Sequence, residues 1–238
     1  MNIRGIITLV MTPILTVVAC VIAIIATVIF RVPSARIQFL PRYWAKIISR
    51  LAGMRVMLCG GENLVAGQPY ILAANHQSQF DIFALQGYLN IDFRWLAKKE
   101  LFKIPVFGFG MRQAGYIPID RSRGREAIKS LYAAAERIAA GASVIIFPEG
   151  TRSPDGHLQD FKSGGMVLAI KSGVPIVPVA ICGTHDILPK GKLLARPGRV
   201  SINVGCPIAT SNFKVSDKQE LARRLHDEVA ALAARGQV

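Results

Sequence analysis

Between Gly5 and Phe30 the chain carries no charged residue, and the run is apolar on every side with no amphipathic stripe. In lipid the backbone must satisfy its own hydrogen bonds, so such a segment is expected as a helix. At about 1.5 Å per residue it is long enough to cross roughly 30 Å of hydrocarbon. Pro13 and Thr16 interrupt it only as lipid-embedded helices tolerate. Arg4 supplies the positive start that a cleaved signal peptide would have, but the apolar run far exceeds the usual core of about 7–15 residues. No small-x-small cleavage site comes after it at Phe30-Arg31-Val32-Pro33. The expectation is a retained, membrane-associated helix, whether it spans the bilayer or dips in and returns.

The next segment of the chain is basic. Arg31, Arg36, Arg42, Lys46, Arg50 and Arg55 all precede the first acidic residue, Glu62, and the whole chain has a formal net charge of +14. Excess Lys and Arg on one flank of an apolar segment favours the cytoplasmic side, and a basic juxtamembrane stretch attracts anionic lipid. Tyr43 and Trp44 suit the interface. The cations form no RNA-recognition, zinc-finger or helix-turn-helix pattern, so nucleic acid is not an expected partner. Localisation at the cell (inner) membrane is expected, with the globular part on the cytoplasmic face. Cys20, Cys59, Cys182 and Cys206 are far apart, with no C-x-x-C pair, and a chain this size needs no disulfide staples.

From about Tyr70 to Val204, short β-rich apolar runs alternate with helical stretches. Tyr70–Ala74, Ser143–Phe147 and Ile176–Ile181 read as strands. Between the first and second of these, Arg125–Ala140 sets Ile128, Leu131, Ala135 and Ile138 on one helical face, ended by Gly141. Near the C-terminus, Ser216 with Gln219 reads as a capping box ahead of a stripe of Leu221, Leu225, Val229 and Leu232, closed by Gly236. The predicted fold class is α/β, a largely parallel sheet flanked by helices and preceded by the N-terminal membrane-associated helices. Residues 1–58 are expected to form the membrane-associated segment and its basic flank, and 59–238 the catalytic domain.

Ligands of such sheets sit beyond the carboxyl ends of strands, and three polar stretches fall there. In Asn75–Asp81 a histidine precedes an aspartate by five residues. Inside one α-helix that spacing puts side chains about 140° apart, so the pair meets only if His76 sits on a turn and Asp81 in the first turn of a following helix. Asp81 would then fix the imidazole tautomer and leave the other nitrogen to take a proton. The same residues fit a plain helix start, with Ser78 as N-cap and Asp81 three residues on. In Phe147–Arg152, Gly150 permits close backbone approach, Thr151 offers a hydroxyl and Arg152 a planar fork for phosphate; a surface loop with Arg152 paired to Glu149 is the simpler alternative. Gly115–Arg121 likewise offers Arg121 to an anion or pairs it with Asp120. Lys98 and Lys99 would ordinarily be solvated charges.

Order, spacing and flanks together resemble the 1-acyl-sn-glycerol-3-phosphate acyltransferases, the lysophosphatidic acid branch of the glycerolipid acyltransferases. The resemblance runs from about Gly60 to Cys206. It rests on NHQSQFD at Asn75–Asp81, GYIPIDR at Gly115–Arg121, FPEGTRS at Phe147–Ser153 and VPIVPVA at Val174–Ala180. The connectors AKKELFKIPVFG (Ala97–Gly108) and FKSGG (Phe161–Gly165) are similar to that family as well. It departs at Pro118, where the family more often has an aromatic. The resemblance implies that His76 is the general base and Asp81 its partner. It implies that Arg121, Glu149, Gly150, Thr151 and Arg152 bind the glycerol phosphate, with Lys98 a further candidate, and that the fourth block forms an acyl-facing or core-facing wall. The implied reaction moves an acyl chain from acyl-CoA or acyl-carrier-protein to the sn-2 hydroxyl of lysophosphatidic acid, giving phosphatidic acid. The implied partners are a lysophospholipid acceptor, that donor and anionic membrane lipid; no cofactor beyond the donor and no metal is implied. Two alternatives stand beside this: another lysolipid acceptor such as a lyso-ornithine lipid, or a non-catalytic protein that binds anionic lipid. A hydrolase would need a nucleophile, and there is no G-x-S-x-G elbow.

Overall fold

A computed structural model describes residues 2–120 and 125–236. The apolar run forms α1 (Ile3–Ile24), continued by a wider π turn at Ile25–Ile29. Its side chains are largely exposed, among them Val10, Val17 and Phe30, as suits a helix whose surroundings are apolar. One face is nevertheless occupied by protein. Trp44 donates its indole N–H to Thr16 Oγ1 (3.1 Å), and Cys20 packs so closely on Gly110 that a side chain there would collide with it. The four cysteines are unpaired.

After α2 (Phe39–Ala52), Gly53 turns the chain at φ 75°, a left-handed conformation that costs glycine little. The sheet elements come in the order β1 (Met54–Cys59), β2 (Ile71–Ala74), α3 (Phe80–Tyr88), β3 (Arg94–Lys98), α4 (Phe107–Gln113), β4 (Ile117–Ile119), α5 (Arg125–Ala139), β5 (Val144–Ile146), α6 (Gly164–Ser172), β6 (Ile176–Cys182), α7 (Thr184–Ile187), β7 (Gly198–Val204) and α8 (Lys218–Arg235). Among the described residues the sheet has seven strands in the order β1-β7-β6-β2-β5-β3-β4. All neighbours are parallel except β6 and β7. The predicted largely parallel sheet is therefore the one found. It begins at Met54, so a boundary after residue 58 falls inside β1.

Buried parallel strands read as continuous apolar runs rather than alternating ones, and β2 and β5 are buried at every position. One core lies under α2 and α3, around Tyr70, Leu72, Leu85 and Ile202; the other lies under α5, α6 and α8, around Ile71, Ile138, Met166 and Leu225. The fourth block is part of this interior: Ile176, Val177 and Val179 have no exposed surface, so it faces the core. Pro118 stands in β4 at the sheet edge, where the missing N–H leaves no ladder bond unmade.

Two local expectations differ. Ile128, placed on the apolar stripe of α5, is 56% exposed, and the buried stripe starts further on with Ala134, Ala135 and Ile138. The Ser216–Gln219 capping box is not formed. Asp217 ends the preceding turn instead, accepting from the Lys214 N–H (2.7 Å) and the Ser216 hydroxyl (2.7 Å). A carboxylate accepts both bonds at once, which a serine hydroxyl does less well.

Candidate functional site

His76 comes just after the central strand β2, and the chain is locked immediately before it. Asn75 is buried and bonds Ile181 of β6 in both directions: its side-chain N–H donates to the Ile181 carbonyl (2.9 Å) and its oxygen accepts the Ile181 N–H (2.7 Å). The side chain thus extends the β2/β6 ladder by one rung after the strand has ended. Removing it would leave buried groups unpaired at about 1–3 kcal/mol each. The His76 backbone is held from the other neighbour. Its N–H donates to Glu149 Oε1 (2.8 Å), and its carbonyl accepts the Ser153 N–H (2.7 Å).

The imidazole stacks on Phe147, centroids 3.9 Å apart and planes 10° from parallel, and Nδ1 lies 2.7 Å from Asp81 Oδ2. The required arrangement is therefore present, with His76 on the turn and Asp81 in the first turn of α3. Asp81 has no exposed surface. Its Oδ2 also accepts the N–H groups of Gln77 (2.7 Å) and Ser78 (2.9 Å), while Oδ1 accepts the Thr184 hydroxyl. Ser78 meanwhile accepts the Phe80 N–H (3.1 Å) and donates to the Leu188 carbonyl (2.7 Å). One carboxylate thus meets both the imidazole and the N–H groups that lead into α3. With Nδ1 occupied, Nε2 has no hydrogen-bond partner among the described residues, and the side chain is 16% exposed. The arrangement can take a proton from a hydroxyl brought to Nε2.

Beside it, the loop after β5 closes with the Gly150 N–H on the Phe147 carbonyl (3.0 Å), Pro148 filling the second position of the turn. Glu149 points inward. It is 3% exposed, accepts from His76 and from Gln159 Nε2 (2.7 Å), and makes no ion pair with Arg152. Burial raises its carboxyl above the ordinary glutamate value; the His76 and Gln159 hydrogen bonds oppose the shift in part. Gly150 has φ 77°, and a Cβ there would meet Lys162 Nζ at 2.7 Å. Thr151 is exposed and Arg152 half-buried. The Arg152 guanidinium has no partner among the described residues, while its carbonyl accepts from Lys190 Nζ (2.8 Å).

Arg121 lies outside the described residues. Asp120, immediately before it, is buried at the end of β4 and accepts from Lys99 Nζ. Lys98 sits across from Glu100 at 3.8 Å with both side chains about half exposed, so Lys99 rather than Lys98 reaches the β4 end. A concavity of about 390 Å³ joins that end to the loop after β5, lined by Asp120, Phe147, Gly150, Lys162 and Gly165. Sequence reasoning missed Thr184, Lys162 and Gln159 as parts of the site. The single signal in sequence was Lys162 within FKSGG; Thr184 lies more than a hundred residues from Asp81. Among the described residues, no group of three His, Cys, Asp or Glu side chains is placed to share a metal ion.

The model of the acyltransferase family matches residues 55–182. A chloroplastic 1-acyl-sn-glycerol-3-phosphate acyltransferase of Brassica napus is 39% identical over 155 residues, 65% of this chain and 44% of that protein. The 1-acyl-sn-glycerol-3-phosphate acyltransferase of Saccharomyces cerevisiae is 34% identical over 192 residues, 79% of this chain and 63% of that one. The chain thus spans about half to two thirds of the length of these curated relatives. The crystal structure of the 1-acyl-sn-glycerophosphate (LPA) acyltransferase PlsC from Thermotoga maritima superposes with a TM-score of 0.69 at 29% identity, over 93% of this chain and 97% of that one.

Proposed function

Because the chain belongs to the acyltransferase family, we propose that it transfers an acyl group from acyl-CoA or acyl-carrier-protein to the sn-2 hydroxyl of lysophosphatidic acid, forming phosphatidic acid. The observation that carries this reading is the His76–Asp81 contact at 2.7 Å, with the opposite imidazole nitrogen left without a partner among the described residues. Nε2 takes the proton as the acceptor oxygen attacks the thioester carbonyl. Collapse of the tetrahedral adduct breaks the C–S bond, and the departing thiolate takes the proton back from His76. The thioester is already activated, so general-base assistance of about 10²–10⁴-fold is the help the step requires from this side chain. Asp81 and Thr184 keep the ring in one tautomer; Glu149 and Phe147 hold its backbone and its plane.

The acceptor phosphate is assigned to the hollow between β4 and the Gly150–Arg152 loop. Lys162 and Gly150 line it, Arg152 comes two residues after Gly150, and neither cation has an ion-pair partner among the described residues; Arg121 follows Asp120 in sequence. In this reading Glu149 and Lys98 do not touch phosphate: the first is committed to His76 and Gln159, and the second stands opposite Glu100. The exposed apolar surface of α1 supports attachment to a membrane, and the basic residues that follow α1 favour the cell (inner) membrane with the sheet domain on the cytoplasmic face, near its lipid acceptor.

The test is acyl transfer by the purified full-length protein, measured as thiol release from acyl-CoA and, separately, from acyl-carrier-protein. It is run against a panel of acceptors. Lysophosphatidic acid should be used well above lysophosphatidylcholine and a lyso-ornithine lipid. Preference for an acceptor without phosphate overturns the acceptor assignment, and no thiol release with any acceptor overturns the enzymatic reading.

A further inference from the structure

The basic stretch after α1 does not act as one diffuse patch. Arg42 is spent on the Leu89 and Ile91 carbonyls (3.0 and 3.2 Å), and Lys46 lies over the Tyr88 ring. Arg50 and Arg55 instead come together with two arginines from far off in sequence. A concavity of about 460 Å³ is lined by Arg4, Arg50, Arg55 and Arg199, with Gly53 and Gly198 in its floor. All four arginines are exposed, and none makes an ion pair among the described residues.

Two features of this cluster ask for an anion. Arg55 and Arg199 are register partners in the β1/β7 ladder, so the fold sets two like charges side by side, an arrangement that costs stability when nothing neutralises it. Arg4 is brought to them by specific anchoring. The Asn2 side chain donates to the Ala195 carbonyl (2.6 Å) and caps the Gly5 N–H (2.9 Å), and Arg4 Nη1 lies where a side chain on Gly53 would be. Arg4 is also flanked by the exposed Ile3, Ile6 and Ile7 of α1. A guanidinium at the end of an apolar, exposed helix sits at the depth where hydrocarbon gives way to headgroups. The anion that meets apolar surface on one side and guanidinium on the other is a lipid phosphate.

The topology gives such a site a purpose. β7 runs against β6, and β6 runs with β2, so the starts of β1 and β7 lie at the same end of the sheet as His76. Counting strands, the cluster is roughly 10–15 Å across the sheet from β2. We infer that Arg4, Arg50, Arg55 and Arg199 form one discrete site for the phosphate of an anionic phospholipid headgroup, separate from the acceptor hollow. The bound headgroup holds the β1/β7 corner to the bilayer and turns the His76 end of the sheet toward it. This rests on the membrane attachment proposed above.

The experiment is binding of dioctanoyl phosphatidylglycerol to the purified full-length protein in neutral detergent. Dioctanoyl phosphatidylcholine and inorganic phosphate are the comparison ligands, read by ligand-induced change in melting temperature. Wild type should bind the anionic lipid at least about tenfold more tightly than phosphatidylcholine or inorganic phosphate. The double variant Arg55→Ala/Arg199→Ala should bind it about 30-fold more weakly. Without lipid the variant should melt no lower than wild type, since a like-charge pair has been relieved. Equal binding of the two lipids by wild type, or undiminished binding by the variant, overturns the site. Inorganic phosphate binding as tightly as the lipid shows a free-anion site and overturns the headgroup. A tenfold rise in the acyl donor's KM in the variant shows that the arginines hold the donor's phosphates and also overturns it. Neither acyl transfer nor bilayer insertion enters the binding measurement, so a failure of the proposed activity or of α1 as an anchor reads out separately.

Discussion

Around His76 the backbone, Nδ1 and the Asp81 carboxylate are tied down, whereas across the Gly150–Arg152 loop the cations are left without ion-pair partners among the described residues. Asp81 accepts from His76, Gln77, Ser78 and Thr184, and the His76 backbone is bonded at both its N–H and its carbonyl. Arg152 and Lys162 have no ion pair among the described residues, and Lys162 lines the hollow that reaches Asp120. The difference matches the roles proposed for the two parts. A general base works only with its proton and its orientation fixed beforehand, so its surroundings are saturated. An anion site works only if its charges are not already neutralised, so its surroundings are left open.

The contrast predicts opposite consequences for substitutions on the two sides. The largest effect is expected for His76→Ala, with thiol release falling about 10²–10⁴-fold while circular dichroism and melting stay near wild type. Near-normal turnover by that folded variant would sink the mechanism. Asp81→Asn comes next and should damage both function and fold. An amide places an N–H where the carboxylate accepted bonds, leaving at least one buried donor unpaired, at about 1–3 kcal/mol in urea unfolding. Its turnover should fall at least about tenfold as the imidazole loses its fixed tautomer.

Arg152→Ala should show the reverse pattern. The acceptor KM should rise about 10–100-fold, matching a lost charge-assisted hydrogen bond of roughly 1.5–3 kcal/mol, with unfolding unchanged because the guanidinium has no partner among the described residues. A drop in stability, or an effect confined to the donor's KM, would erase the distinction between the two sides. The smallest effect concerns Glu149. Its carboxyl is raised by burial, so the folded protein holds that proton more tightly than the unfolded chain does. The associated stability is fully present below the ordinary value of 4.5 and is lost as pH rises through the raised value. Glu149→Gln removes that titration. Melting temperatures measured upward from acid should therefore shift in favour of the variant across that window, and a constant difference would show that the carboxyl does not titrate there.

Removal of α1 no longer reads as removal of an anchor alone. Trp44 bonds Thr16, and Cys20 seats on Gly110, so truncation after Phe30 uncovers α2 and α4 as well as weakening the proposed membrane attachment. Hydropathy showed the apolar run but not the face of it that packs on the domain, since a residue apolar enough for lipid is apolar enough for a protein core.

Local signals were sufficient for the apolar N-terminal helix, three strands of the sheet and the helices α5 and α8. Continuous apolar runs marked β2, β5 and β6, Gly141 marked the stop after α5, and polar stretches after the apolar runs marked the end of the sheet where chemistry would lie. They were weaker where two local choices competed, as at Ser216, whose hydroxyl donates to Asp217 in the turn before α8 instead of capping the helix. They also allowed two readings of Asp81, and only the fold revealed that its carboxylate meets both the imidazole and the N–H groups that lead into α3.

What tertiary structure alone decided is every contact made across strands. Pairing β2 with β5 and β6 brings Glu149 to the His76 N–H and Ile181 to Asn75, and the turn after β6 carries Thr184 to Asp81. Pairing β1 with β7 sets Arg55 beside Arg199. Parallel and long-range ladders join residues about a hundred positions apart, and no periodicity within either segment encodes which strand will lie next to it. Residue types and strand ends were legible because side-chain volume, polarity and turn preference act within a few residues. Partners were not, because they are chosen by burying two whole surfaces at once.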